Sequence, residues 1–146
     1  MAAKISGPYL DSVADLLLID DNHYLAEVFA DTLRDEGHKV RVAHDGEQGL
    51  AQLHAELPEL VLCDVEMPVL DGPGFAYRAL LHDAGAEKIP IIFVSGVADL
   101  RLVAERVGTP YFLSKPVGLK ELLSMLERAL RERIAPKPRF TAANTP

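Results

Sequence analysis

Residues 60–72 read "LVLCDVEMPVLDG". Four apolar residues end abruptly on Asp64, and the loop that follows carries Pro68, Asp71 and Gly72. A short run that is apolar throughout needs cover on both faces, as the strands of a parallel sheet have. Asp64 is then a carboxylate at the carboxyl end of a buried strand, where it loses hydration and needs compensation.

Working outward, the same kind of run recurs at "LLLI" (16–19), "KVRVA" (39–43), "IPIIFV" (89–94) and "YFL" (111–113), with "ELVLC" (59–63) leading into Asp64. Helical periods lie between them. Segment 23–36 places Leu25, Val28, Phe29, Thr32 and Leu33 at i, i+3, i+4, i+7 and i+8, and Gly37 stops it. Segment 46–57 places Leu50, Leu53, His54 and Leu57 on one face, with Asp45 as N-cap and Pro58 beyond its end. Segment 73–84 is less regular. Segment 98–107 buries Leu100, Val103, Ala104 and Val107 and ends at Gly108. In 118–133, Leu119, Leu122, Leu123, Leu126 and Leu130 form a stripe opposite Lys120, Glu121, Glu127, Arg128 and Arg131.

Five βα units in strict alternation predict an α/β fold, a doubly wound parallel sheet with helices on both faces. Right-handed crossovers leave a few strand orders, among them the flavodoxin-like 2-1-3-4-5. The domain is expected over 15–133, after an extension of 1–14 and before a disordered tail of 134–146 rich in proline and small polar residues.

The bulk composition narrows the function. The chain of 146 residues is 49% hydrophobic and 25% charged, with a formal net charge of -7 and no basic cluster, which argues against nucleic-acid binding. Cys63 is the only cysteine, so no internal disulfide forms and a reducing, cytoplasmic setting is natural. In an apolar strand with no base nearby it reads as a buried, inert thiol. His23, His38, His44, His54 and His82 are scattered and read as surface or helix-end residues rather than a zinc site. No apolar run reaches the length of a membrane span. Asp11 and Asp15 before the first apolar run argue against a signal peptide.

Four strands deliver polar residues to one edge: Asp20 and Asp21 after the first, Asp64 after the third, Ser95 after the fourth and Lys115 after the fifth. Singly, each reads as a turn former, a helix cap or a surface lysine. Their common place at four strand ends favours a site. Three carboxylates and one ammonium leave about -2, a repulsion of several kcal/mol at close range. A divalent cation removes it, and oxygen-only ligands favour Mg²⁺ (or Mn²⁺) over zinc. Mg²⁺ commonly meets phosphate oxygens, so the cluster suits phosphoryl chemistry, with Asp64 as nucleophile. Lys115 would neutralise the transferring group and Ser95 would donate a hydrogen bond to it.

In order and spacing, "LLIDD", "LVLCDVEMPVLDG", "IIFVSG" and "YFLSKP" resemble the signature blocks of the response-regulator receiver domain of two-component signalling. The resemblance implies a (βα)5 receiver with the strand order 2-1-3-4-5, and the short stretch after residue 133 leads to the expectation of a stand-alone one. It implies Asp64 as phosphoacceptor, Asp20 and Asp21 as the acidic pair, and Asp21 and Asp64 as direct Mg²⁺ ligands, with Glu66 adding its backbone carbonyl. Ser95 stands at the switch hydroxyl, Phe112 at the aromatic switch position and Lys115 at the phosphate-binding lysine, with a cis Lys115–Pro116 bond. Departures are serine for the commoner threonine at 95, Phe112 where tyrosine is frequent with Tyr111 facing the other way, Gly74 at the third helix, and Gly96 leaving access beside Asp64.

The expected partners are a histidine kinase or a histidine phosphotransfer protein as donor and an unknown downstream protein, with no nucleic acid and no membrane. Output is expected through the fourth helix, fifth strand and fifth helix, with Leu102, Arg106 and Met125 exposed. One alternative is a receiver-like interaction module that is never phosphorylated. The other is an aspartyl-phosphate phosphatase with Glu66 as general acid.

Overall fold

The computed structural model describes residues 13–81 and 85–138. The expected extension before Val13, the end of segment 73–84 and the tail beyond Pro138 lie outside them. Strands and helices alternate: β1 (Asp15–Ile19), α1 (His23–Asp35), β2 (Lys39–Ala43), α2 (Gly46–Ala55), β3 (Leu60–Cys63), α3 (Gly72–Leu81), β4 (Ile91–Ser95), α4 (Leu100–Val107), β5 (Phe112–Ser114) and α5 (Leu119–Glu132). The strands pair in parallel in the order β2-β1-β3-β4-β5, the doubly wound order expected.

Alternation along each strand divides the core in two. Leu17, Ile19, Val61, Cys63, Ile91 and Phe93 face α2, α3 and α4. Leu16, Leu18, Leu60, Leu62, Ile92 and Val94 face α1 and α5. Apolar side chains on both faces are why these strands read as unbroken apolar runs.

The helical stripes differ from expectation in detail. In α1 the buried residues are Ala26, Ala30 and Leu33, whereas Val28 is 42% exposed and Leu25 and Phe29 are half-buried. Small alanines let the helix lie close on the sheet, and the larger side chains flank that line. In α2, Leu50 and Leu53 are buried but His54 and Leu57 are exposed. Glu56 is already extended (φ -157, ψ 123), so Leu57 before Pro58 is off the helix. In α5, Leu122, Leu123, Leu126 and Ala129 are buried, while Leu119 is exposed and Leu130 half-buried.

The first part of the expected disordered tail is held. The Ile134 N–H donates to the Tyr111 hydroxyl at 3.3 Å, and the Lys137 N–H to the Gly108 carbonyl at 3.1 Å. Pro136 is buried. Proline-rich composition reports helix breaking but not the partners that two N–H groups of this segment find at the Gly108 carbonyl and the Tyr111 hydroxyl.

Candidate phosphoryl site at the strand ends

Register brings the acids together. Ile19 pairs with Cys63, and the Asp64 N–H donates to the Ile19 carbonyl at 2.9 Å, so one further step sets Asp20 beside Asp64. Ser95 pairs with Ser114, and the Lys115 N–H donates to the Ser95 carbonyl at 2.9 Å. Lys115 thereby leaves the sheet at the same edge, and the Lys115–Pro116 bond is cis as expected.

The side chains meet there. Lys115 Nζ donates to Asp20 Oδ2 at 2.8 Å and to Asp64 Oδ2 at 3.0 Å. Asp64 Oδ1 accepts the Val65 N–H at 2.7 Å, and Asp20 Oδ1 accepts the Asn22 N–H at 2.9 Å. Asp20 and Asp64 are buried, and Asp21 is exposed. Carboxylate oxygens of the three lie within 4.8 Å of one another.

Burial pulls the Lys115 pKa down, but the hydrogen bonds and charges of Asp20 and Asp64 outweigh it and leave the ammonium above the ordinary lysine range. One ammonium faces three carboxylates, so the cluster keeps a net charge of about -2. The donor set is oxygen only and its excess negative charge fits a hard divalent cation. Such an ion supplies positive charge where phosphate oxygens would gather.

Two local features fix the loop after β3. A Cβ at Gly72 would fall 2.3 Å from the Asp64 carbonyl oxygen, so only glycine lets α3 begin against the acid's backbone. Val69 has φ 71 and sits between the Pro68 carbonyl and the Leu70 N–H, which bond at 2.8 Å. That is the i→i+2 bond of a γ-turn with its central φ positive, a rare and strained arrangement.

Ser95, Gly96, Val97, Glu66 and Asp64 line a depression of about 280 Å³. The Ser95 hydroxyl is buried and accepts the Val97 N–H at 3.4 Å. A Cβ at Gly96 would meet nothing within 4 Å, so the depression it shares with Asp64 is open on that side. Phe112 is half-buried and pairs in register with Phe93, on the sheet face toward α4, while Tyr111 is buried on the α5 side. Leu102 and Arg106 are exposed, as expected of them. Met125 is not: it packs half-buried against the α1–α5 core, because its turn of α5 brings it beside the stripe.

Cys63 is buried, and its thiol donates to the Asp64 carbonyl at 3.2 Å. Burial, with the charges of Asp64, Asp20 and Asp71 adding to it, holds the thiol well above its usual pKa, which agrees with an inert role.

Two residues near the acids carried no signal in the periodicity. Asn22 caps α1 by accepting the Leu25 N–H at 3.0 Å, which leaves Asp20 and Asp21 free of capping duty. The only hint was its place before the first helical residue. His44 bonds through Nδ1 to the Asp20 carbonyl at 3.1 Å and stacks on His23 with ring centroids 3.7 Å apart. These two histidines are therefore not scattered.

A model of the response regulator receiver domain matches residues 16–127. The tetrathionate response regulatory protein TtrR of Salmonella typhimurium is 34% identical over 123 residues, covering 81% of this chain and 57% of that protein. The probable transcriptional regulator ycf27 of Guillardia theta is 30% identical over 124 residues, 84% of this chain and 47% of its own length. The chain thus spans about half the length of these two relatives. A CheY-like receiver domain protein from Methanospirillum hungatei superposes with a TM-score of 0.74 at 27% identity, covering 84% of this chain and 97% of that one. The receiver domain of NtrX from Brucella abortus gives 0.72 at 30% identity, over 80% and 98%. With its five parallel strands, its strand-end acids and this match over most of its length, the chain belongs to the response regulator receiver domain family of two-component systems.

Proposed function

We propose that the chain accepts a phosphoryl group on Asp64 from a phosphohistidine of a kinase or phosphotransfer protein, and passes the signal on through protein contacts. The observation that carries this is the Lys115 ammonium bridging Asp20 and Asp64 at 2.8 and 3.0 Å beside the exposed carboxylate of Asp21. In the transfer an Asp64 oxygen forms the new P–O bond while the P–N bond to the donor imidazole breaks. Lys115 holds the acceptor carboxylate in place and faces the charge on the phosphoryl oxygens. Asp20, Asp21 and Asp64, with the Glu66 backbone carbonyl, would hold Mg²⁺, whose charge favours the phosphoryl group once bound.

Ser95 is the proposed donor to a phosphoryl oxygen, and Phe112, on the same sheet face, the proposed responder. The proposed setting is cytoplasmic, in keeping with a single buried thiol. Among the described residues no helix is long and apolar enough to cross a membrane. The reading separates from a constitutive interaction module by one experiment. Intact mass after treatment with a small phosphodonor and Mg²⁺ should rise by one phosphoryl group, and Asp64→Asn should remove the major adduct. Equal gain by the Asn variant sinks Asp64 as acceptor.

A further inference from the structure

Asp20 and Asp64 are each held by hydrogen bonds to their own carboxylates. Asp21 is different. Its exposed carboxylate has no hydrogen-bond or ion-pair partner among the described residues, so its direction depends on the backbone that carries it.

That backbone is gripped from the end of β2. The Asp20 N–H donates to the Ala43 carbonyl at 3.0 Å, and the next residue, His44, reaches the Asp20 carbonyl through Nδ1 at 3.1 Å. A carbonyl can only accept, so Nδ1 carries the hydrogen. The Asp20 carbonyl belongs to the planar peptide group that joins Asp20 to Asp21, so this bond sets the plane from which Asp21 departs. On the far side, Asn22 is tied to Asp20 Oδ1 at 2.9 Å. His23 then lays its ring on that of His44, 3.7 Å between centroids and 7° from parallel. Asp21 is bracketed by one paired histidine unit that joins the β1–α1 and β2–α2 loops.

We propose that His44, steadied by its stack on His23, is a positioning residue for the metal-binding acids: its bond to the Asp20 carbonyl aims the Asp21 carboxylate toward Asp64. An unrestrained loop carboxylate must lose conformational freedom when a cation binds, and this bond removes part of that cost beforehand. It is the role that groups behind the direct ligands play at metal sites generally. The proposal rests on the reading of these acids as a divalent-cation site.

Three variants of the full chain separate the ring from the bond. His44→Phe keeps a flat ring for the stack and removes the donor. His44→Asn places an N–H donor near the position of Nδ1 and removes the ring. His44→Ala removes both. Mg²⁺ alone is titrated while the amide shifts of Asp21 and Val65 are followed, and thermal unfolding in metal-free buffer runs in parallel. The Phe and Ala variants should weaken Mg²⁺ binding about tenfold, and the Asn variant by no more than about twofold. Melting in metal-free buffer should stay close to native in all three. Unchanged Mg²⁺ affinity in His44→Phe, or equal loss in the Phe and Asn variants, overturns the role of the bond while leaving the metal site standing. A native chain whose shifts ignore Mg²⁺ overturns the metal reading and this inference with it.

Discussion

Lys115 Nζ stands 3.0 Å from Asp64 Oδ2 across 51 residues of sequence, and the same ammonium also binds Asp20 at 2.8 Å. Its folded pKa is raised, so its contribution to stability is complete below the unfolded value of 10.5 and is lost as pH climbs through the higher folded one. Lys115→Met should cost about 2 kcal/mol at neutral pH in metal-free buffer, less than a fully buried pair loses because the side chain is 19% exposed. Urea unfolding of both proteins should show a gap that stays constant from neutral pH upward and closes above 10.5. A gap that closes between neutral pH and 10.5 instead refutes the assignment.

Asp21→Ala removes one of three carboxylates whose oxygens lie within 4.8 Å. In metal-free buffer the variant should melt above the native protein, since like charges at that range repel by about 1 kcal/mol or more. With Mg²⁺ the order should reverse, because the native chain gains the ion's binding free energy and the variant does not. Melting curves that ignore both the substitution and the ion count against a working cluster.

Ser95→Ala should leave phosphorylation of Asp64 largely intact, because Lys115 and the acids remain. It should weaken the response beyond the site, since the buried hydroxyl that would turn toward a phosphoryl oxygen is gone. Beryllofluoride with Mg²⁺ serves as phosphoryl mimic, and NMR shifts of residues 95–115 are the readout. A full native shift pattern in the Ala variant removes Ser95 from the switch.

Val69→Gly should stabilise the domain by on the order of 1 kcal/mol, as a β-branched residue leaves the left-handed region. Little packing is lost with it, for Val69 is 78% exposed. Chemical unfolding measures this directly. A destabilised glycine variant would show that the loop is held by contacts of the valine side chain rather than strained by its backbone.

Much of the molecule was legible before folding. Strands apolar on both faces, separated by helical periods, leave few ways to cover themselves, so the doubly wound sheet followed from local pattern. Asp20, Asp64, Ser95 and Lys115 were readable because each stands at the carboxyl end of a mainly apolar strand, and parallel strands send such residues to one edge. Folding alone settled what depends on close approach between distant segments. Ala26 and Ala30 of α1 lie buried beside Leu33 while Val28 stays exposed, a choice of face that the period of the larger apolar side chains does not announce. Residues 134–138 are held because two backbone groups find partners at Gly108 and Tyr111, which proline content could not announce. The His23–His44 stack joins residues 21 positions apart by their numbers, and each ring taken singly is an ordinary polar surface residue. A ring stack and one bond to a carbonyl leave no period in a sequence, because their geometry exists only after β1 and β2 have paired in register.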